Sequence, residues 1–192
     1  MHTRPRPARS AGGFSMIELL VVLVILGAIA GLAQLSADPV RPVQLDAAVR
    51  EVVQALRFAQ SDAIRTGSYR VVNCSVAANS IRIFALDMAP KPPIEDTANP
   101  VMNPIDKKIY ALSLSARPGS TAARIDSCQF AFNGAASGSQ LTFGSDGAPV
   151  YVAGPGAPDI KPMTTGSLTL SAGLNARTIT VDALTGRVSL SL

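Results

Sequence analysis

Beyond His2 the sequence contains no histidine, so the rest of the chain lacks the commonest general base and metal ligand. It has no G-x-S-x-G elbow, no Walker loop and no carboxylate cluster at metal-ligand spacing, so no catalytic, cofactor or metal residue is assigned and an enzyme is not expected. Cysteine is scarce: Cys74 and Cys128 stand alone, and the 53 residues between them exclude a compact CxxC metal or redox motif. Charge is missing from residues 19–35, whereas the sequence after Ala37 carries scattered charge like any water-facing domain. There is no internal repeat. What remains is a chain with one apolar segment near its start and one domain's worth of soluble sequence behind it.

The formal net charge of +4 invites a nucleic-acid reading. Arg4, Arg6 and Arg9 all precede the apolar run, however, and without residues 1–13 there are 14 basic side chains against 13 acidic ones. The basicity is therefore largely that of a targeting segment.

That segment is short and broken by Pro5 and Pro7, which suits an extended stretch kept on the cytoplasmic side. From Phe14 to Leu35 there are 22 residues. A helix of that length spans a hydrocarbon core of roughly 30 Å. A cleaved secretory signal would have a shorter apolar core and a small-residue cleavage site behind it. A plain signal anchor explains the length but not Glu18, an acidic side chain near membrane depth that costs on the order of a few kcal/mol unless it finds a partner.

Gly13-Phe14-Ser15-Met16-Ile17-Glu18 resembles the class III signal of type IV prepilins and pseudopilins, with Ser15 and Met16 where threonine and leucine are more usual. The resemblance implies that prepilin peptidase cuts between Gly13 and Phe14, that Phe14 is then methylated, and that Glu18 becomes the fifth residue. The new amine of Phe14 and the Glu18 carboxylate of a neighbouring subunit are each costly alone in a bilayer. Paired, they carry no net charge, so the pair favours filament assembly and sets the register between helices.

Pro39 and Pro42 predict a kink or unwound turn over residues 38–43. Leu45, Val49, Val52, Leu56, Ala59 and Ala63 then form an apolar stripe on a helix over about 43–66, with Gly67 as its stop. Asp46, Arg50, Glu51, Arg57, Asp62 and Arg65 are read as its solvated face. Further on, short β-type runs are predicted at 69–76, 80–86, 108–115, 128–132, 140–143, 150–152, 167–171, 177–181 and 187–192, separated by turn signals such as Asn133-Gly134, Asp146-Gly147 and Thr185-Gly186. Residues 89–104 hold five prolines and read as an exposed loop, as do residues 154–162. An even cysteine count in an exported domain points to a Cys74–Cys128 disulfide, with two buried free thiols as the alternative.

The expected fold is α+β and, by resemblance, pilin-like: a long N-terminal helix, half transmembrane and half amphipathic, packed on an antiparallel β-sheet C-terminal domain. The divisions are a cleaved leader (1–13), a transmembrane helix (14–37), the amphipathic half (38–66) and a periplasmic β-rich domain (67–192). The segment Leu56-Arg57-Phe58-Ala59-Gln60-Ser61, the step Leu141-Thr142-Phe143 before Asp146-Gly147, and Ile179-Thr180-Val181 before Thr185-Gly186-Arg187-Val188 resemble one branch. That branch joins the H pseudopilin of type II secretion with FimT- and FimU-like minor pilins; minor pilins of the mannose-sensitive haemagglutinin system share the general pattern.

The function this implies is that of a minor pseudopilin at or near the tip of a type II secretion pseudopilus, in the inner membrane with its C-terminal domain in the periplasm. Its partners would be other pilin or pseudopilin subunits, prepilin peptidase, the inner-membrane assembly platform and secreted cargo. The alternative is a FimT-like minor pilin of a type IV pilus that serves pilus biogenesis or DNA uptake, with Arg177 and Arg187 as DNA contacts. Gly186-Arg187-Val188-Ser189 lacks the second arginine of the glycine-arginine-any-arginine motif of such proteins.

Overall fold

The computed structural model describes residues 15–33, 40–115, 123–156 and 159–191. Two compact units divide between Pro39 and Val40. The first holds α1 (Met16–Ala33), whose described side chains, residues 16–27, are all exposed and, apart from Glu18 and Gly27, all apolar. Among the described residues no helix is both long and apolar enough to cross a membrane. The predicted 14–37 span extends past them at both ends; of the kink predicted over 38–43, residues 38–39 lie outside them, while 40–43 are helical rather than unwound.

The second unit opens with α2 (Val40–Thr66). Pro42 falls in its first turn, where an amide hydrogen would have no helical acceptor, so the helix starts three residues earlier than the stripe predicts. All six stripe residues are buried, joined by Ala48 and Ala55. Side chains such as Leu56 contribute about 1.5–3 kcal/mol each by leaving water. The helix stops where expected, the Ser68 amide donating to the Ala63 carbonyl at 3.2 Å across Gly67.

Among the described residues eleven strands follow: β1 (Arg70–Ser75), β2 (Ser80–Asp87), β3 (Ile94–Glu95), β4 (Ala111–Ser113), β5 (Arg124–Phe132), β6 (Ala135–Gly138), β7 (Gln140–Phe143), β8 (Pro149–Val152), β9 (Ile160–Ala172), β10 (Asn175–Val181) and β11 (Val188–Ser191). All pairings are antiparallel. One layer runs from β3 and β4 through β2, β1, β7 and β8 to the start of β9; the other contains β6, β5, the rest of β9, β10 and β11. The join is β9 itself, which pairs with β8 over Ile160–Pro162 and with β5 and β10 beyond. α2 packs against β1, β2, β7, β9, β10 and β11, so its stripe seals both layers.

Besides β6, which no predicted run covers, and β5, which begins four residues early, three segments differ from the sequence prediction. The proline-rich segment 89–104 is not wholly loop: β3 pairs with Leu86 and Asp87, and an Arg82–Glu95 ion pair holds it there. The 108–115 run narrows to Ala111–Ser113, with Met102 bridging to Ile109 beside it. The 154–162 loop ends at Ile160, where β9 begins, and Lys91 Nζ donates to Asp159 Oδ2 at 2.8 Å, clasping the two loops together.

Candidate functional site

Gly13 and Phe14 lie outside the described residues. Glu18 sits in the first turn of α1 with its side chain exposed, its amide donating to the Ser15 carbonyl at 2.9 Å. A carboxylate in a helical first turn is favoured by the positive end of the helix dipole. It stands at the head of a helix whose described face is apolar all round, an arrangement found in membrane or assembly helices rather than in surface helices of a soluble domain.

Cys74 on β1 and Cys128 on β5 form a disulfide with Cα atoms 6.4 Å apart, and no described cysteine is free. The bond ties one layer to the other, and both cysteines are buried.

Arg177 and Arg187 flank the hairpin that the sequence predicts, but at opposite ends. Arg187 faces Asp182 across the turn, five residues along the strand from Arg177, or about 17 Å. An odd offset also puts them on opposite faces. Arg177 shares the face of Ile179 and Val181 toward α2, where its Nε lies 3.5 Å from Asp46 Oδ1; Arg187 is exposed.

The three stretches that carried the branch resemblance meet in space. The Gln60 side-chain amide on α2 donates to the carbonyls of Gly147 (3.0 Å) and Thr185 (2.8 Å). One side chain thus satisfies backbone acceptors in two turns 38 residues apart, the Asp146-Gly147 turn and the Thr185-Gly186 turn. Both glycines have left-handed φ, 80° and 68°. A Cβ on Gly186 would meet the Gly147 carbonyl oxygen at 2.6 Å, and one on Gly147 would meet Ile64 Cδ1 at 2.7 Å. Only glycine allows the turns this close to the helix. Arg57 adds a longer bond, 3.4 Å, to the carbonyl of Val188.

Asp62 is the correction to the predicted solvated face of α2. It is 6% exposed and accepts from Arg70 Nε at 2.6 Å and from Arg65 Nη2 at 2.5 Å; Arg70 is itself 8% exposed. Burial alone would raise the Asp62 pKa, but the two guanidinium groups outweigh it and hold the carboxyl below its ordinary value of 3.8. The chain turns back at Gly67, and β1 thereby lays Arg70 over the end of the helix. Beside this pair, Phe58 stacks on Tyr110 with centroids 4.9 Å apart, and the segment around residues 98–107 arches over a cavity of about 650 Å³. Among the described residues no group of three or more histidines, cysteines or acidic residues is placed to hold a metal.

The family model of the type II transport protein GspH matches residues 48–185, and that of the prokaryotic N-terminal methylation motif matches residues 8–33. The chain belongs to the GspH family. It is thus a type IV pilin-like protein, a minor pseudopilin or minor pilin, and assembly with other pilin subunits follows from membership. The GspH match runs from within α2 to Thr185, enclosing both ends of the Gln60 bridge.

Among solved structures, the minor pseudopilin EpsH from the type 2 secretion system of Vibrio cholerae is similar at 16% identity, covering 77% of this chain and 96% of that one, with a TM-score of 0.49. The type IV minor pilin FimU of Pseudomonas aeruginosa is similar at 13% identity, covering 79% and 90%, with a TM-score of 0.46. No curated protein matches.

Proposed function

We propose that this GspH-family chain is a subunit of a type II secretion pseudopilus, acting at or near the filament tip, where its β-rich domain contacts other minor subunits and secreted cargo. It enters the inner membrane by residues 14–37, with the domain beyond in the periplasm. Prepilin peptidase cuts at Gly13-Phe14, methylation follows, and the assembly platform packs the exposed helix against neighbouring helices. The observation that carries the reading is α1: a helix whose described side chains find no core, apolar all round, with one carboxylate in its first turn. Such a surface is stable only in lipid or against other helices.

Glu18 is the residue that separates anchoring from assembly. Glu18→Ala is expected to leave the protein in the membrane fraction but to remove most of it from sheared or cross-linked filaments. Pairing with Phe14 fails as the mechanism if the variant enters filaments at the wild-type level.

A further inference from the structure

The cavity between α2 and the β2–β4 connection gathers three cations around one shared carboxylate. Its floor is the Asp62–Arg70 pair; Arg65, with 74% of its side chain exposed, and Lys107 stand at its mouth. Asp62 is the single carboxylate in the lining against these three cations. Asp96 also lies near enough to feel Arg70, but its carboxylate is engaged by the amides of Ala98 and Asn99 and by the Asn99 side chain. With Asp96 counted, the three cations still outnumber the carboxylates by one. Its other walls are mainly apolar, with Phe58, Val101, Met102 and Pro104 beside Asn99; the adjoining rim carries the 90%-exposed Ile105 together with Glu51 and Asp106.

We propose that this cavity docks an acidic, apolar peptide segment of a partner polypeptide: an aspartate or glutamate set between Arg65 and Lys107, with a neighbouring aliphatic or aromatic side chain against Phe58 and Met102. A second carboxylate supplies the counter-charge that Asp62, shared between two guanidinium groups, cannot provide, and charge-assisted hydrogen bonds to arginine are the stronger kind. The apolar neighbour buries side chains that the chain leaves uncovered. Duplex DNA fits less well, because its phosphates repeat along an extended backbone and demand a row of cations, whereas here the cations converge on one concavity. The proposal rests on the filament-subunit reading only for the identity of the partner, a neighbouring subunit or cargo.

The test is fluorescence anisotropy on the full chain in detergent, with labelled peptides pairing aspartate or glutamate with leucine or phenylalanine, their asparagine and glutamine counterparts, and a short DNA duplex. Acidic peptides are expected to bind about tenfold or more tightly than their amides, and Arg65→Glu or Lys107→Glu to lose at least about tenfold, with Arg187→Glu unchanged. Lys107→Glu leaves the Asp62 pairs intact, so an unaltered circular dichroism spectrum and Tm would show that it remains folded, whereas Arg65→Glu also removes a partner of Asp62 and is expected to lower Tm; the Lys107→Glu result decides. Equal affinity for acid and amide, no binding by any peptide, indifference to Lys107→Glu, or tighter binding of the duplex at physiological salt would each overturn the proposal. The assay needs no filament, so its failure removes this site alone, and the failure of Glu18→Ala to affect assembly leaves it standing.

Discussion

Arg70→Ala is expected to destabilise the β-rich domain by about 3 kcal/mol, because it strands a buried carboxylate rather than merely deleting a bond. Asp62 keeps Arg65, but that arginine is mostly in water and holds its geometry loosely. Asp62→Asn should cost a similar amount, leaving the nearly buried Arg70 without its counter-charge. The double variant Asp62→Leu/Arg70→Met replaces the pair by apolar side chains and should come within about 1 kcal/mol of the wild type, exposing strong coupling in a denaturant-based double-mutant cycle. The pH dependence has a definite sign. The folded pKa of Asp62 is depressed, so its contribution is present above the ordinary value of 3.8 and disappears as pH falls through the lower folded value. The wild type should therefore lose stability in that acidic window, and Asp62→Leu/Arg70→Met should lose less. Simple additivity of the two single changes would mean that the carboxylate and the guanidinium act independently.

Removing the Cys74–Cys128 bond should have the other large effect. The bond closes a loop with a sequence separation of 54, for which the chain-entropy account gives about 4 kcal/mol of stabilisation through restriction of the unfolded chain. It also joins β1 to β5, strands of different layers that are not neighbours in either sheet. Cys74→Ala/Cys128→Ala should lower the midpoint of chemical unfolding by an amount equivalent to that figure, while a reductant should destabilise the wild type but not the variant. Thiol labelling under denaturing, non-reducing conditions should leave both cysteines unmodified; two reactive thiols would show that the bond does not form.

Much of the fold was legible because helix and strand periods survive in this chain with little interference. The six stripe residues of α2 follow a period that only a helix buries on one face, and Gly67 marks its end. Most strand centres were visible through β-branched residues and turn glycines. β6 was not, since Ala135–Gly138 has no β-branched residue and owes its conformation to β5 beside it. β3 was hidden in a proline-rich stretch that a two-residue pairing and one ion pair suffice to organise.

The site was legible in pieces. Gln60, Gly147 and Thr185 each stood in a stretch that resembled the same branch, but no local pattern states that one amide joins two turns. Asp62 defeated the reading for a related reason: its helical position looks solvated until the chain reverses and brings Arg70 over it. Charge content likewise revealed nothing of the cationic cavity, because its members come from α2, β1 and the β2–β4 connection.

Family membership implies assembly with other pilin subunits; we propose that it acts through the head of α1, and the central claim is that this head is made by cleavage. Intact mass and terminal-peptide spectrometry of protein extracted from membranes of a peptidase-positive cell tests that claim directly. The account predicts a chain beginning at methylated Phe14, five residues inclusive from Glu18. A terminus at Met1, or cleavage beyond the apolar segment, would contradict it.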